Sequence, residues 1–171
     1  MVGFGPVSMA ESLRDRVAGV LSEVRTRPLF AMKLDVRILV VGDTPETFRR
    51  IGFVHGGVFE GERLAGTIVD GGSDWQSVRR DGSTLLDVRL NLKTVEGDLI
   101  CMTYKGLRRG PSDIIARLEM GERVDPASYY FRINPMFETA SEKYAWLNGV
   151  LAVGLGHRFE DGPVYNVFEL L

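Results

Sequence analysis

PLFAMKLDVRILVVG, residues 28–42, is where the chain changes its period. Upstream, Leu13, Val17, Val20, Leu21 and Val24 recur at helical spacing. Ser8 and Glu11 fit a capping box, in which each side chain satisfies the other residue's exposed backbone N–H. Pro28 ends that pattern, and the residues after it are rich in strand formers. From there the chain reads as short strands cut by turn signals. Gly61-Glu62, Asp81-Gly82, Glu96-Gly97 and Asp161-Gly162 each stand between such runs. Asp-Gly in particular suits the positive φ angles of hairpin turns. The predicted strands lie at about 29–40, 51–60, 63–70, 75–79, 84–94, 98–106, 128–137, 148–159 and 163–171.

Successive hairpins make neighbouring strands antiparallel, and so many strands in one sheet curl and close because closure removes exposed edges. The expectation is an all-β, meandering antiparallel barrel of about nine strands over residues 29–171, with a helical extension over 1–28. An open sandwich is the second architecture. Residues 107–126 read as a long connection with a short amphipathic helical run, the kind of loop that covers a barrel mouth. Residues 138–147 read as a single helical turn leading into a strand.

Composition narrows the function. A chain of 171 residues is long enough to bury a core as one domain. Its net charge of −2 gives no general attraction to nucleic acid or to an anionic membrane. The pairs Arg49-Arg50, Arg79-Arg80 and Arg108-Arg109 lie near turns among acids and read as solvated surface. No apolar run is long enough to span a bilayer. Cys101 is the only cysteine, so no internal disulfide forms. The N-terminus lacks the pattern of a signal peptide, so a cytoplasmic location is the default. His55 and His157 lie in different strands without paired spacing, so no metal is expected. Gly154-Leu155-Gly156 lacks the third glycine and the helix of a dinucleotide fingerprint, and His55-Gly56-Gly57 has no nucleophile elbow beside it. What survives is cofactor-free chemistry, or plain binding.

Alternation along LLDVRLNLK, residues 85–93, puts Leu86, Val88, Leu90 and Leu92 on one face and Asp87, Arg89, Asn91 and Lys93 on the other. Periodicity gives faces and not directions. Either the leucines form the core, or they pack outward beneath the N-terminal helix or a partner while Asp87 and Arg89 point into a lumen. In SYYFRINP, residues 128–135, Tyr130, Arg132 and Asn134 share a face that could orient a carbonyl or carboxylate ligand. Arg132 could equally form a structural ion pair with Asp87 or Glu138. In GGSDWQ, residues 71–76, the two glycines fit a barrel corner or bulge between two strands, and Asp74 can brace that turn.

The motifs GGSDWQ (71–76), DGSTLLDVR (81–89), YKGLRRGP (104–111), YYFR (129–132), FET (137–139), YAWLN (144–148) and AVGLG (152–156) occur together in this order. In that combination the chain resembles the domain of unknown function 3237 family, also called uncharacterised protein family 0311, from about Pro28 to the C-terminus. GDTPETFRR, residues 42–50, departs from the family's more glycine-containing turn. The resemblance implies a compact antiparallel barrel, calycin-like in outline. Some fungal relatives are associated with cyclisation, in which a hydroxyl adds to a carbon–carbon double bond without a cofactor. Asp74, Trp75, Asp87, Arg89, Tyr104, Tyr130, Arg132, Glu138, Trp146 and Asn148 match recurrent polar or aromatic positions. That match gives the lumen placement of Asp87 and Arg89 equal weight with the surface one.

Two functions follow as expectations. In the first, an aromatic or polyketide-like molecule sits in the barrel and a carboxyl group exchanges a proton with it, in a cyclase or isomerase reaction. Asp87 is the first choice for that role and Asp74 the second. Arg132 with Tyr104 or Tyr130 would stabilise a developing enolate or phenolate. Trp75, Arg89, Glu138, Trp146 and Asn148 would contact the ligand. In the second, the same barrel binds a ligand without reaction, or is purely structural. The N-terminal helix and outward leucines would suit a homo-oligomer as well as a monomer.

Overall fold

The computed structural model describes residues 12–171. Eight strands run as a meander: β1 (Thr26–Asp43), β2 (Phe48–Glu60), β3 (Gly66–Val78), β4 (Thr84–Thr94), β5 (Leu99–Arg109), β6 (Tyr130–Glu138), β7 (Ala152–Phe159) and β8 (Gly162–Leu170). Each pairs antiparallel with the next, and β8 returns to pair with β1, closing a barrel. The four predicted glycine turns all fall at strand junctions, Gly162 being the first residue of β8, with Gly82, Gly97 and Gly162 at positive φ. One helix, α1 (Ser112–Glu119), lies in the long β5–β6 connection, and a short 3-10 segment at Ala145–Gly149 leads toward β7.

The count is eight and not nine because GGSDWQ does not break a strand. The predicted segments 63–70 and 75–79 are one strand, β3, whose register with β4 shifts between Val69 and Ser73. Gly71, at φ +104, absorbs that irregularity. Pro28 enters β1 in the same way, beside a register shift against β8.

The N-terminal stripe does not form the packed helix expected of it. Among residues 12–25 there are turns and one 3-10 turn at Gly19–Leu21, and Leu13, Val17, Val20, Leu21 and Val24 are all exposed. The Ser8–Glu11 capping box lies outside the described residues. Among the described residues these five apolar side chains meet no partner surface, and short isolated helices are marginal in water.

Direction is settled on β4. Leu86, Val88, Leu90 and Leu92 are buried in the lumen, while Arg89, Asn91 and Lys93 are exposed. Burying such side chains is worth roughly 1.5–3 kcal/mol each. Turning the strand over would lose those four contributions and desolvate Asp87 and Arg89 instead. The leucines therefore do not face outward toward a partner. At the end of the lumen holding the β4–β5 hairpin, Phe30 meets Phe59 and Phe137 edge-to-face at 5.5 and 6.0 Å, and Leu92, Ile100 and Leu147 are fully buried. Glu169 is held there by Arg27 and Arg63. Inward-facing Gly154 and Gly156 on β7 make room for β6: a Cβ at these positions would lie 2.5 Å from Ile133 and 2.6 Å from Phe131. The glycines of AVGLG are thus explained by packing.

Candidate functional site

The other end of the lumen is not filled. On β5 the inward set runs Ile100, Met102, Tyr104, Gly106 and Arg108, so one strand delivers a tyrosine to mid-lumen and an arginine to the mouth. β3 contributes Asp74 and Gln76, β6 Phe131, β7 Arg158 and β8 Tyr165. These side chains enclose a cavity of about 40 Å³. Past Arg108 and Arg158 it meets a groove of about 390 Å³ between Arg50, Gln76, Glu119 and Glu160. The inner cavity holds one or two waters or a single polar substituent, whereas the groove holds a ring.

Asp74 forms the polar floor. Its side chain is 7% exposed. Oδ2 accepts from Gln76 Nε2 at 2.6 Å, and Oδ1 accepts from the backbone N–H of Asp87 at 3.3 Å. Gln76 Oε1 in turn accepts from Arg50 Nε at 2.6 Å, which links the floor to the mouth. Burial raises the Asp74 carboxyl to about 6, against the opposing hydrogen bonds and the charges of Arg108 and Arg50. Tyr104 and Tyr165 stand edge-to-face at 5.8 Å, and Tyr165 meets Phe131 at 5.3 Å. Burial drives both phenols up, so they remain hydrogen-bond donors across the physiological range.

At the mouth, Arg50 grips Glu119 with two bonds, Nη1–Oε2 at 2.5 Å and Nη2–Oε1 at 3.0 Å. Arg108 Nη2 also donates to Glu119 Oε1. Burial opposes ionisation of Glu119, but the Arg50 hydrogen bonds and the charges of Arg108, Arg50 and Arg158 outweigh it and hold the carboxyl below its usual range. Arg108 is 6% exposed, its guanidinium lies 5.9 Å from the Phe131 ring, and among the described residues its Nε has no hydrogen-bond partner. A buried donor left unmade costs about 1–3 kcal/mol, which makes it a marked feature of the cavity wall.

The expected site residues divide sharply. Asp74 and Tyr104 line the cavity. Asp87, the first choice for acid–base work, points to the outside of β4 and pairs with Lys105 at 2.5 Å; only its backbone N–H reaches the site. Arg89 is exposed. Tyr130 and Arg132 lie on the outer face of β6, where the guanidinium stacks 4.8 Å from the ring, while their neighbours Phe131 and Ile133 point inward. Arg132 pairs with neither Asp87 nor Glu138; its Nη1 donates to the Phe131 carbonyl. Trp75, beside Asp74 in sequence, faces out and is 52% exposed. Glu138 is exposed, and Asn148 is tied to the Thr139 backbone by bonds of 2.8 and 3.0 Å. Trp146 lies 4.2 Å beneath Arg63, the partner of Glu169 at the filled end.

Arg50, Gln76, Arg108, Glu119, Arg158 and Tyr165 were not anticipated. Two of them hid in the basic pairs read as solvated surface. In a strand, adjacent residues face opposite ways, so Arg108 points in while Arg109 points out over Tyr130 at 5.0 Å. Extending the apolar face of β5 from Ile100 by twos reaches Arg108, a signal present in the sequence.

Fold and site together define a closed eight-stranded barrel with one packed end and one arginine-framed polar mouth. The chain belongs to the family described as protein of unknown function (DUF3237), whose model matches residues 24–170. It is 34% identical over 130 residues to a UPF0311 protein of Rhodopseudomonas palustris, covering 76% of this chain and 85% of that protein. The crystal structure of a conserved protein of unknown function from R. palustris matches with a TM-score of 0.84 at 31% identity, over 87% of this chain and 99% of that one. A beta-barrel like protein from Acinetobacter baumannii matches with a TM-score of 0.76 at 37% identity, over 87% and 97%. More distantly, an enzyme from Penicillium herquei shares the fold at TM-score 0.65 and 18% identity, over 91% and 100%.

Proposed function

We propose that the barrel binds a small organic molecule at the Asp74 end of its lumen and exchanges a proton with it, without a cofactor. The observation that carries this reading is the buried Asp74 carboxyl, raised to about 6, on the floor of a cavity beside two phenol donors and an unpartnered arginine N–H. A carboxyl poised near neutral pH can both take and give a proton, which is the requirement for general acid–base catalysis. Tyr104, Tyr165 and Arg108 line the cavity with hydrogen-bond donors, suited to a carbonyl that becomes an enolate or to a phenolate. The cavity volumes shape the substrate: an oxygen reaches inward to Asp74 while an aromatic or polyketide-like body lies in the groove. Isomerisation of an enone, or addition of a hydroxyl to a carbon–carbon double bond, fits these groups. The presence of an enzyme among structures of the same fold is compatible with this role.

The test uses an internal hydroxyl–enone such as 2′-hydroxychalcone, whose closure is followed by absorbance, within a panel of phenols and enolisable ketones. Wild type is expected to accelerate conversion of a panel member, and Asp74→Asn to lower that rate by about 100-fold or more while ligand binding persists. Equal turnover by the two proteins contradicts the assignment.

A further inference from the structure

The mouth contains a carboxylate already seated where a ligand would enter. Glu119 is the last residue of α1, which packs on the barrel through Leu118 while Ile114 and Ile115 are partly buried against the core. Its two oxygens take three donors from Arg50 and Arg108. That is the planar, forked recognition by which guanidinium groups hold carboxylates. Yet the internal carboxylate does not complete the site. Arg108 lines both the cavity and the groove, and its Nε stays buried and, among the described residues, without a partner. Arg158 adds a third guanidinium to the same rim. Glu119 itself is 40% exposed and sits on an eight-residue helix within a long connection, so it can leave more readily than the strand-borne arginines.

We propose that the mouth takes the carboxylate of a small hydroxy-aromatic acid, which displaces Glu119 from Arg50 and Arg108 and directs its hydroxyl inward to Asp74. Glu119 is the chain's own stand-in for that carboxylate, holding α1 across the entrance until the ligand replaces it. The inference rests on the reading of the lumen as a ligand site and adds to it the charge class of the ligand and the group that competes with it. Ile38, Leu118 and Met120, which line the groove, offer the ring its apolar wall.

Calorimetric titration with 4-hydroxybenzoate, 4-hydroxybenzamide and inorganic phosphate tests it on wild type and Glu119→Gln. Wild type binds the acid and not the neutral amide. Glu119→Gln binds the acid about tenfold tighter or more, because the competing closed form no longer withholds most of the sites. Should Glu119→Gln fail to fold, Glu119→Asp replaces it, and its shorter carboxylate, unable to span both arginines, gives a smaller tightening. An affinity for the acid that is unchanged or weakened in these variants overturns the stand-in role. Equal binding of acid and amide, or of phosphate and acid, overturns the carboxylate class while leaving the lumen as a ligand site. Absence of binding by every aromatic probe to wild type and variant alike overturns both readings.

Discussion

Asp74→Asn is expected to stabilise the protein above pH 7 by about 2 kcal/mol and to destabilise it by about 1 kcal/mol below pH 4, so the two stability curves cross. The Asp74 carboxyl moves from 3.8 to about 6 on folding, chiefly through burial. Between those values the folded state binds more protons than the unfolded one, so stability falls as pH rises through the interval and stays reduced above it. A shift of this size corresponds to about 3 kcal/mol, which a neutral amide recovers. Against this stands a lost hydrogen bond worth about 1 kcal/mol. Gln76 Nε2 and the Asp87 N–H donate to different oxygens of Asp74, and asparagine puts an NH2 donor in place of one of those oxygens. Urea unfolding at pH 4 and pH 8 measures the crossing, and parallel curves would remove Asp74 from the role given to it. A residue that weakens the fold at working pH yet supplies a proton near neutrality is the trade expected of a functional group.

The second large effect lies on the backbone. Gly57→Ala lowers stability by about 3 kcal/mol or more, about 6–12 °C in melting temperature for a chain of this size. Gly57 has φ +141, and a Cβ there would stand 2.1 Å from the Lys33 carbonyl oxygen, inside the β1–β2 ladder. Its neighbour Gly56 offers a built-in comparison, because a Cβ there meets only ordinary contacts at 3.9 Å. Gly56→Ala should therefore change stability by less than about 1 kcal/mol. Equal losses from the two variants would mean that the close approach of Gly57 to the Lys33 carbonyl does not set the cost. His55-Gly56-Gly57 serves strand geometry on this account, and no oxyanion loop is needed to explain it.

Much of the barrel was legible because turns and alternation are local. Asp81-Gly82 and Asp161-Gly162 marked hairpins from two residues each, and the Leu86–Leu92 alternation fixed which side chains travel together. Direction was not legible, since it depends on what the opposite strands bury; hence Asp87, Arg89, Tyr130 and Arg132 were gathered toward a lumen they face away from. GGSDWQ was misleading for a related reason. Paired glycines fit a corner or a bulge, and it is the bulge that forms: β3 continues through it as one strand instead of breaking in two, while Asp74 turns in and Trp75 turns out. Arg108 escaped because buried arginine is rare and a double arginine at a turn reads as solvated. Glu119 escaped because its partners Arg50 and Arg108 come from β2 and β5, and only barrel closure brings those strands to one mouth.

The central claim is that the lumen holds a carboxyl that gains and loses its proton near neutral pH. Carbon-13 NMR titration of the Asp74 side chain tests this most directly, with the resonance assigned by its loss in Asp74→Asn. A midpoint near 6 is expected from the burial of the group. A midpoint at or below about 4, the ordinary value for a solvated aspartate, would contradict it.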